Sequence, residues 1–273
     1  MMDEKTTVSA ETDGQPSQAV YLYGLIRTGT VVDLPAVELL AVGDVAAAFE
    51  RVSAVEWSGP AAEANLQDSA WLVSHACRHG EVVSALNARS AVLPVRFGAI
   101  FTSERVLEEF LETHVNEIIP FLERIDGHEE WSLKFFLQAD QASAWLLATD
   151  PELSLRQQSL SETPGKRYFQ EKQLLAAVKK KVLQSAQNQA QRIIEALCLL
   201  GKDSHPLRLQ ASVNPGYEMI AHEAWLLPEA NVQTFCDQIQ HLQEEVAEQG
   251  LVIEWSGPWP PYSFAPALGE SSP

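Results

Sequence analysis

The chain has 273 residues, of which 46% are hydrophobic, so it is long enough for two domains and can bury a sizeable core. Its 37 acidic and 19 basic residues give a formal charge of -18, which opposes binding to nucleic-acid phosphates and to anionic lipid surfaces. The three cysteines, Cys77, Cys198 and Cys236, form no CxxC pair, which excludes a disulfide scaffold or a zinc knuckle and predicts buried thiols in a reducing cytoplasm.

The chain is expected to begin with a disordered tail followed by three strands. Residues 1–17 are polar and acidic and lack the basic and apolar regions of a signal peptide. Short aromatic and β-branched runs predict strands at residues 19–26, 37–42 and 45–52. The last two runs flank Gly43 and Asp44, which indicates a tight turn.

A helix is predicted over residues 61–88, followed by a strand at 91–98 and a second helix. The first helix has an apolar face at three- and four-residue spacing, and we expect that face to be buried: Leu66, Ala70, Val73, Cys77, Gly80 and Val83. Pro94 restricts the strand to an edge, an end or a bulge. Ser103 is a plausible N-cap for the second helix, and Pro120 is expected to start a further helical turn.

The second half of the chain alternates between predicted strands and helices. Strands are predicted at 131–137, 207–213, 217–227 and 251–255, and helices at 140–149, 166–200 and 228–249. The longest of these helices has a predicted core stripe: Leu175, Val178, Val182, Ala186, Gln189, Ile193, Leu197 and Leu200. Residues 151–165 are rich in Ser, Gln and Pro and are predicted to be a flexible loop.

This order of elements predicts an α+β fold with two domains. The second run, β-α-β-β-α-β, is the order of a ferredoxin-like unit, and the first run resembles a modified version of it. We therefore expect a disordered acidic tail over 1–17, an N-terminal modified ferredoxin-like domain over 18–127 and a ferredoxin-like α+β C-terminal domain over 128–264. The last of these has a long helix and a tail rich in proline and aromatic residues, and residues 265–273 are expected to be a flexible tail.

No established catalytic, cofactor or metal motif is present in the sequence. His75 and His79 have the four-residue spacing of some zinc sites, but no Glu follows His75 and no third ligand is near, which favours surface or packing histidines. Glycine-rich phosphate loops and a GxSxG elbow are absent from the sequence. We therefore predict a protein that is not an enzyme and that has no catalytic, cofactor-binding or metal residues.

Two segments contain charged or aromatic side chains that packing within the chain does not require. In residues 93–98, Arg96 and Phe97 follow Pro94, and a half-buried Arg96 would need a carboxylate or carbonyl partner inside or outside the chain. Residues 256–264 contain three prolines together with Trp259, Tyr262 and Phe264 on a segment expected to lie outside the sheet. These rings must dock either on their own domain or on another protein.

These segments resemble the gas vesicle accessory family GvpL/GvpF. The tail GPWPPYSF at 257–264 is similar to the closing signature of that family, and VLPVRFG at 92–98 is similar to an internal one. The opening YLYG at 21–24, the stretch between Ala76 and Leu86 and the run GKRYFQEK at 165–172 also fit. The resemblance spans about residues 19–264, while the two termini lie outside the pattern.

The resemblance implies a non-catalytic role in gas vesicle assembly. Members are thought to bind the small hydrophobic shell protein and other accessory proteins, in the cytoplasm and at the gas vesicle. For this chain it implies a minor component that limits shell-protein aggregation and helps nucleation. Arg96, Phe97, Trp259, Tyr262 and Phe264 are the candidate partner-binding residues, with no nucleic-acid partner and no membrane insertion.

Two other hypotheses about function remain open on the sequence alone. Paired ferredoxin-like domains often form a cleft between them, so the chain could be a regulatory protein that binds a small ligand. An enzyme using His79 with an acidic partner is the third possibility.

Overall fold

The structure is a computed structural model that describes residues 18–212 and 214–268. It has an α+β fold with two antiparallel sheets and two compact units, which divide between Leu122 and Glu123 within one helix. The predicted tail at 1–17 and the last residues of the predicted tail at 265–273 lie outside the described residues. Within the described ranges, no helix is both long enough and apolar enough to cross a membrane.

The first unit contains five strands and the helices that follow them. Its strands are β1 Gln18–Arg27, β2 Glu38–Val42, β3 Val45–Ser53, β4 Val92–Pro94 and β5 Ile100–Phe101. Its helices are α1 Ala54–Trp57, α2 Gly59–Gln67, α3 Ser69–Asn87 and the part of α4 Glu104–Ile125 up to Leu122. The strand predictions at 19–26, 37–42 and 45–52 are confirmed, and the expected tight turn lies at Gly43.

The sheet of the first unit is built around β1. Its strand order is β2-β3-β1-β4, with β5 also paired to β1, so β4 and Pro94 lie at an edge as predicted. Gly24 allows β1 and β4 to approach closely, because a Cβ at that position would lie 3.1 Å from the carbonyl oxygen of Leu93. The run of buried aromatic and β-branched side chains in β1 explains why this strand is central.

The helical region after β3 differs from its prediction in two ways. Two helices, α2 and α3, replace the single one, because Asp68 ends α2 and caps α3 by accepting hydrogen bonds from the backbone N–H groups of Ala70 and Trp71. The predicted core face is confirmed at Val83 and wrong at its other five positions. The buried side chains of α3 are His79, Val82, Val83 and Leu86, whereas Leu66, Ala70, Val73, Cys77 and Gly80 are exposed.

The second unit contains four strands and four complete helices. Its strands are β6 His128–Gln138, β7 Asp203–Pro206, β8 Tyr217–Pro228 and β9 Leu251–Trp259, and its helices are α5 Ala139–Thr149, α6 Pro151–Gln158, α7 Pro164–Leu197 and α8 Val232–Val246. The strand order is β7-β8-β6-β9. The first and third strands of the unit are therefore central, and the second and fourth lie at the edges.

The core of the second unit lies between this sheet and helices α5, α7 and α8. The predicted stripe of α7 is largely confirmed, since Val178, Val182, Ala186, Ile193 and Leu197 are buried. The N-terminal part of the predicted stripe is not buried, because Leu175 is exposed.

Three further boundaries differ from the sequence expectation. The predicted flexible loop contains helix α6, which Asp150 caps by accepting from the N–H groups of Glu152 and Leu153. The strand expected at 207–213 lies upstream as β7, where it pairs with β8. Pro120 lies inside α4 rather than at the start of a new turn.

Candidate functional site

The Arg96–Phe97 segment follows edge strand β4 and presents its two side chains differently. Arg96 is exposed, and no carboxylate among the described residues pairs with it, so the half-buried position and internal salt bridge expected for it are wrong. Phe97 is half-buried, with its ring centroid 5.8 Å from that of Trp57 and 6.2 Å from that of Tyr21. Arg96 is therefore available to solvent, while Phe97 is part of an aromatic cluster.

His79 forms the polar centre of that cluster. Its Nδ1 lies 2.8 Å from the hydroxyl of Tyr21, and its Nε2 lies 3.0 Å from the carbonyl oxygen of Val95. These bonds are satisfied when Nε2 carries the proton and Nδ1 accepts from Tyr21. Burial lowers the pKa of His79, with a smaller opposing effect from the Val95 carbonyl. The two ring nitrogens thus join α3 to β1 and to the segment that follows β4, which agrees with the packing interpretation from the sequence.

An open cleft of about 360 Å³ lies beside this cluster, within the first unit. Its lining combines aromatic rings with charges of both signs, from Tyr21, Tyr23, Glu50, Glu56, Trp57 and Arg78. Tyr23 donates to Glu50 at 2.8 Å, and Arg78 lies 3.7 Å from the same carboxylate. Burial and the Glu50 bond raise the pKa of Tyr23 above its usual range, so its hydroxyl stays protonated.

The aromatic tail of the second unit is fixed by a buried carboxylate. Glu130 on β6 accepts from the backbone N–H of Ser263 at 3.0 Å and from its hydroxyl at 2.6 Å. Burial raises the pKa of Glu130, and the two Ser263 bonds oppose that rise. Phe264 is only 6% exposed, and its ring lies against His205, 4.6 Å between centroids. The last residues of this segment are therefore docked on their own unit.

The other two aromatic residues of the tail face solvent. Trp259 is 49% exposed and Tyr262 is also exposed. Trp259 is the last residue of β9 and pairs with Glu130, so the expectation that residues 256–259 lie outside the sheet is wrong. Its indole Nε1 donates to the Ser256 hydroxyl at 3.1 Å. The sheet register thus holds the Trp259 ring at the surface.

The sequence did not identify the exposed apolar side chains of α2, α3 and α7 as candidate surface residues. Leu66, Val73 and Leu175 were assigned to buried faces because their spacing is that of a core stripe. Tyr168 and Phe169, near the start of α7, are exposed as well. The basic residues around this part of α7 are the one sequence signal that could have identified it as surface.

Cysteine and histidine chemistry gives no further site among the described residues. Cys77 and Cys198 are exposed and Cys236 is half-buried, so the buried positions expected for the thiols are wrong. The described part of the chain has no group of three His, Cys, Asp or Glu side chains placed to hold a metal ion. His75 stacks on Trp71 and is within 2.8 Å of the carbonyl oxygen of that residue.

Comparisons with known proteins agree on one family. A family model described as gas vesicle synthesis protein GvpL/GvpF matches residues 19–266. Gas vesicle protein L of a Streptomyces species (strain CB03234) is 27% identical over 230 residues, which cover 83% of this chain and 82% of that protein. Gas vesicle protein F of the same strain is 29% identical over 189 residues, covering 68% of this chain and 75% of that protein. The crystal structure of GvpF from Anabaena sp. PCC7120 has a TM-score of 0.66 at 18% identity and covers 92% of this chain and 99% of that one, which shows a common fold.

Proposed function

The chain belongs to the gas vesicle synthesis protein GvpL/GvpF family, and from that premise we propose that it is an assembly factor that binds the hydrophobic gas vesicle shell protein. In this proposal it is a minor component that also contacts other gas vesicle accessory proteins. It limits aggregation of the apolar shell subunits and helps them to nucleate. It acts in the cytoplasm and at the growing gas vesicle, and its role is non-catalytic, in keeping with relatives that are named as gas vesicle proteins.

The observation that carries the proposal is the exposed Trp259 ring on an anchored segment. A surface indole that is already held by strand pairing loses little conformational freedom on binding, so more of its buried area contributes to affinity. Tyr262 lies three residues further on, next to Ser263, whose bonds to Glu130 fix the backbone there. Large aromatic side chains of this kind are the commonest binding hot spots.

The charge of the protein supports the same role. A formal charge of -18 makes copies of the chain repel one another, which helps to keep a complex with apolar subunits dispersed. Arg96 is exposed beside Phe97 and supplies a possible hydrogen-bond donor for a partner carbonyl or carboxylate. We assign Arg96 and Phe97 to a supporting contact, since the Phe97 ring is already packed in the aromatic cluster.

Coexpression with the shell protein, followed by co-purification, tests the proposal. Trp259→Ala should reduce recovery of the shell protein, by about 30-fold in affinity if the ring contributes about 2 kcal/mol. Leu199→Ala is the matched control, because Leu199 is 94% exposed, large and apolar, and outside the tail. Undiminished binding by Trp259→Ala would remove the tail from the interface, and failure of the wild-type protein to retain shell protein would overturn the proposal.

We further infer that both units are variants of a ferredoxin-like fold. In the second unit, β8 lies between β6 and β7, and β6 lies between β8 and β9, which is the arrangement of two split β-α-β units. The first unit has the same strand order, β2-β3-β1-β4, but only a loop connects β1 to β2. This supports the domain assignment 18–127 and 128–264 made from the sequence.

A further inference from the structure

Two helical segments of the described chain have no fully buried side chain, although Leu174 and Ala177 in the second of them pack partly against the core of their unit. Helix α2 has nine residues and no buried side chain, although an isolated helix of that length is marginal in water. Residues 164–177, at the start of α7, also contain no buried side chain. Because helices in proteins are stabilised chiefly by packing of an apolar face, both segments indicate a surface that is completed by another polypeptide.

The start of α7 combines apolar rings with a local excess of positive charge. Residues 164–181 contain six basic residues and one acidic residue, in a chain that is strongly acidic elsewhere. Arg167 and Lys181 pair with Glu171 and Asp150, whereas Lys172 and Lys179 have no carboxylate partner among the described residues. We define the α7 basic surface by the exposed side chains that share this region: Tyr168, Phe169, Lys172, Leu175 and Lys179.

The apolar residues of this surface extend the core stripe of the helix. Leu175 precedes the buried Val178 and Val182 by three and seven residues, so the three side chains share a face. Leu175 is nevertheless 68% exposed, whereas its neighbours Leu174 and Ala177 pack partly against the core of the unit. Lys172 lies over the ring of Tyr168, 5.0 Å from its centroid, so charge and apolar area are adjacent.

The first unit has a surface of opposite charge with the same apolar character. Residues 52–77 contain three carboxylates and no Lys or Arg. Val55, Leu66 and Val73 are 58%, 55% and 60% exposed, whereas the other large apolar side chains of this region are half-buried. We define the α2–α3 acidic surface by the exposed side chains Val55, Glu56, Glu63, Leu66, Asp68 and Val73.

We propose that the α7 basic surface of one molecule docks on the α2–α3 acidic surface of a second copy of this chain. The α7 basic surface has an excess of positive charge and the α2–α3 acidic surface an excess of negative charge, so apolar burial and charge pairing favour the same contact. Both surfaces are exposed within one chain, so each is available to another molecule. Because the two surfaces differ, reciprocal pairing between two copies closes a dimer, and pairing of each copy with two neighbours builds rings or open chains.

Sedimentation velocity of the full chain over a range of protein concentrations tests this contact. The wild-type protein should form dimers or larger species as its concentration rises, and association should weaken as added salt screens the charges. The double variant Lys172→Glu, Lys179→Glu reverses the charge of the α7 basic surface. The double variant Glu56→Lys, Glu63→Lys reverses the charge of the α2–α3 acidic surface. Each double variant alone should lose at least about tenfold in association constant, because like charges then face each other.

Mixing the two double variants gives the decisive measurement. The native α2–α3 acidic surface of the first variant and the native α7 basic surface of the second should restore association in the mixture. Leu199→Ser is the control for an exposed leucine outside both surfaces and should associate as the wild type does. Far-UV circular dichroism of each variant establishes that the helices are retained.

Three results would overturn the proposal. The wild-type protein could remain monomeric at the highest concentration, or both double variants could associate as strongly as the wild type. The mixture could also stay monomeric although both variants are folded. Binding of the wild type to phosphatidylserine vesicles, lost in the Lys172→Glu, Lys179→Glu variant and without self-association, would assign the α7 basic surface to a lipid surface instead.

Discussion

Replacing Ser263 by Ala should weaken the attachment of the aromatic tail to its own unit by removing one buried hydrogen bond. The Ser263 hydroxyl donates to Glu130 Oε1 at 2.6 Å, and Glu130 is only 7% exposed. A hydrogen bond to a charged group contributes about 1.5–3 kcal/mol, and the backbone N–H of Ser263 still bonds the other oxygen, so we expect a loss of about 2 kcal/mol. For a protein of this size that loss lowers the melting temperature by about 4–8 °C.

The pKa of Glu130 gives this prediction a second, independent signature. Burial raises the pKa of the carboxyl, and losing a Ser263 bond raises it further. Because the pKa of Glu130 is higher in the folded state, the contribution of this carboxyl to stability is fully present below its unfolded-state pKa. That contribution is lost as the pH rises through its folded-state pKa. The Ser263→Ala variant should therefore be most destabilised at neutral and alkaline pH.

A double-mutant cycle with Glu130→Gln isolates the charge. In the Gln background, Ser263→Ala removes only a neutral hydrogen bond of about 1 kcal/mol, so the coupling between the two positions should be about 1 kcal/mol. Urea unfolding followed by tryptophan fluorescence measures all four proteins, and Ser256→Ala serves as a matched control on the exposed end of the same segment. An equal cost of Ser263→Ala in both backgrounds would show that the ionised Glu130 carboxylate does not hold the tail.

Three further predictions concern other parts of the fold. Val83→Ala should lower the free energy of unfolding in urea by about 2 kcal/mol, because Val83 is fully buried. Val73→Ala, on the exposed face of α3, should change it by less than about 0.5 kcal/mol. Similar losses of unfolding free energy in the two variants would contradict the observed helix face. Because burial lowers the pKa of His79, its stability contribution is present above the unfolded pKa and is lost as the pH falls through the lower folded pKa. His79→Gln should therefore flatten the decline in unfolding free energy on acidification, and an unchanged pH profile would refute this. Gly250→Ala should lower the melting temperature markedly, because Gly250 has a φ of 74° and a Cβ there would lie 2.7 Å from the backbone nitrogen of Ala142. A melting temperature equal to that of the wild type would show that the backbone shifts freely at this position.

Local sequence signals placed most elements correctly where one signal dominated. The aromatic run of β1, the turn at Gly43 and the end of α8 before Gly250 were all predicted from short stretches of residues. The helix cap by Asp150 was missed because the composition of residues 151–165 is that of a loop. The predicted site residues were located on surface segments, but the sequence could not say which of their rings face solvent.

The sequence by itself determined an acidic α+β chain, its order of strands and helices and its resemblance to one family, because propensity, periodicity and motif spacing are properties of neighbouring residues. Only the tertiary structure decided which apolar side chains are buried. Val73 and Val83 satisfy the same helical spacing, yet only Val83 packs against the sheet, and Trp259 and Phe264 share one tail, yet only Phe264 is covered. Burial depends on partners far along the chain, such as Glu130 and His205 for the tail, and no local pattern records where those partners lie.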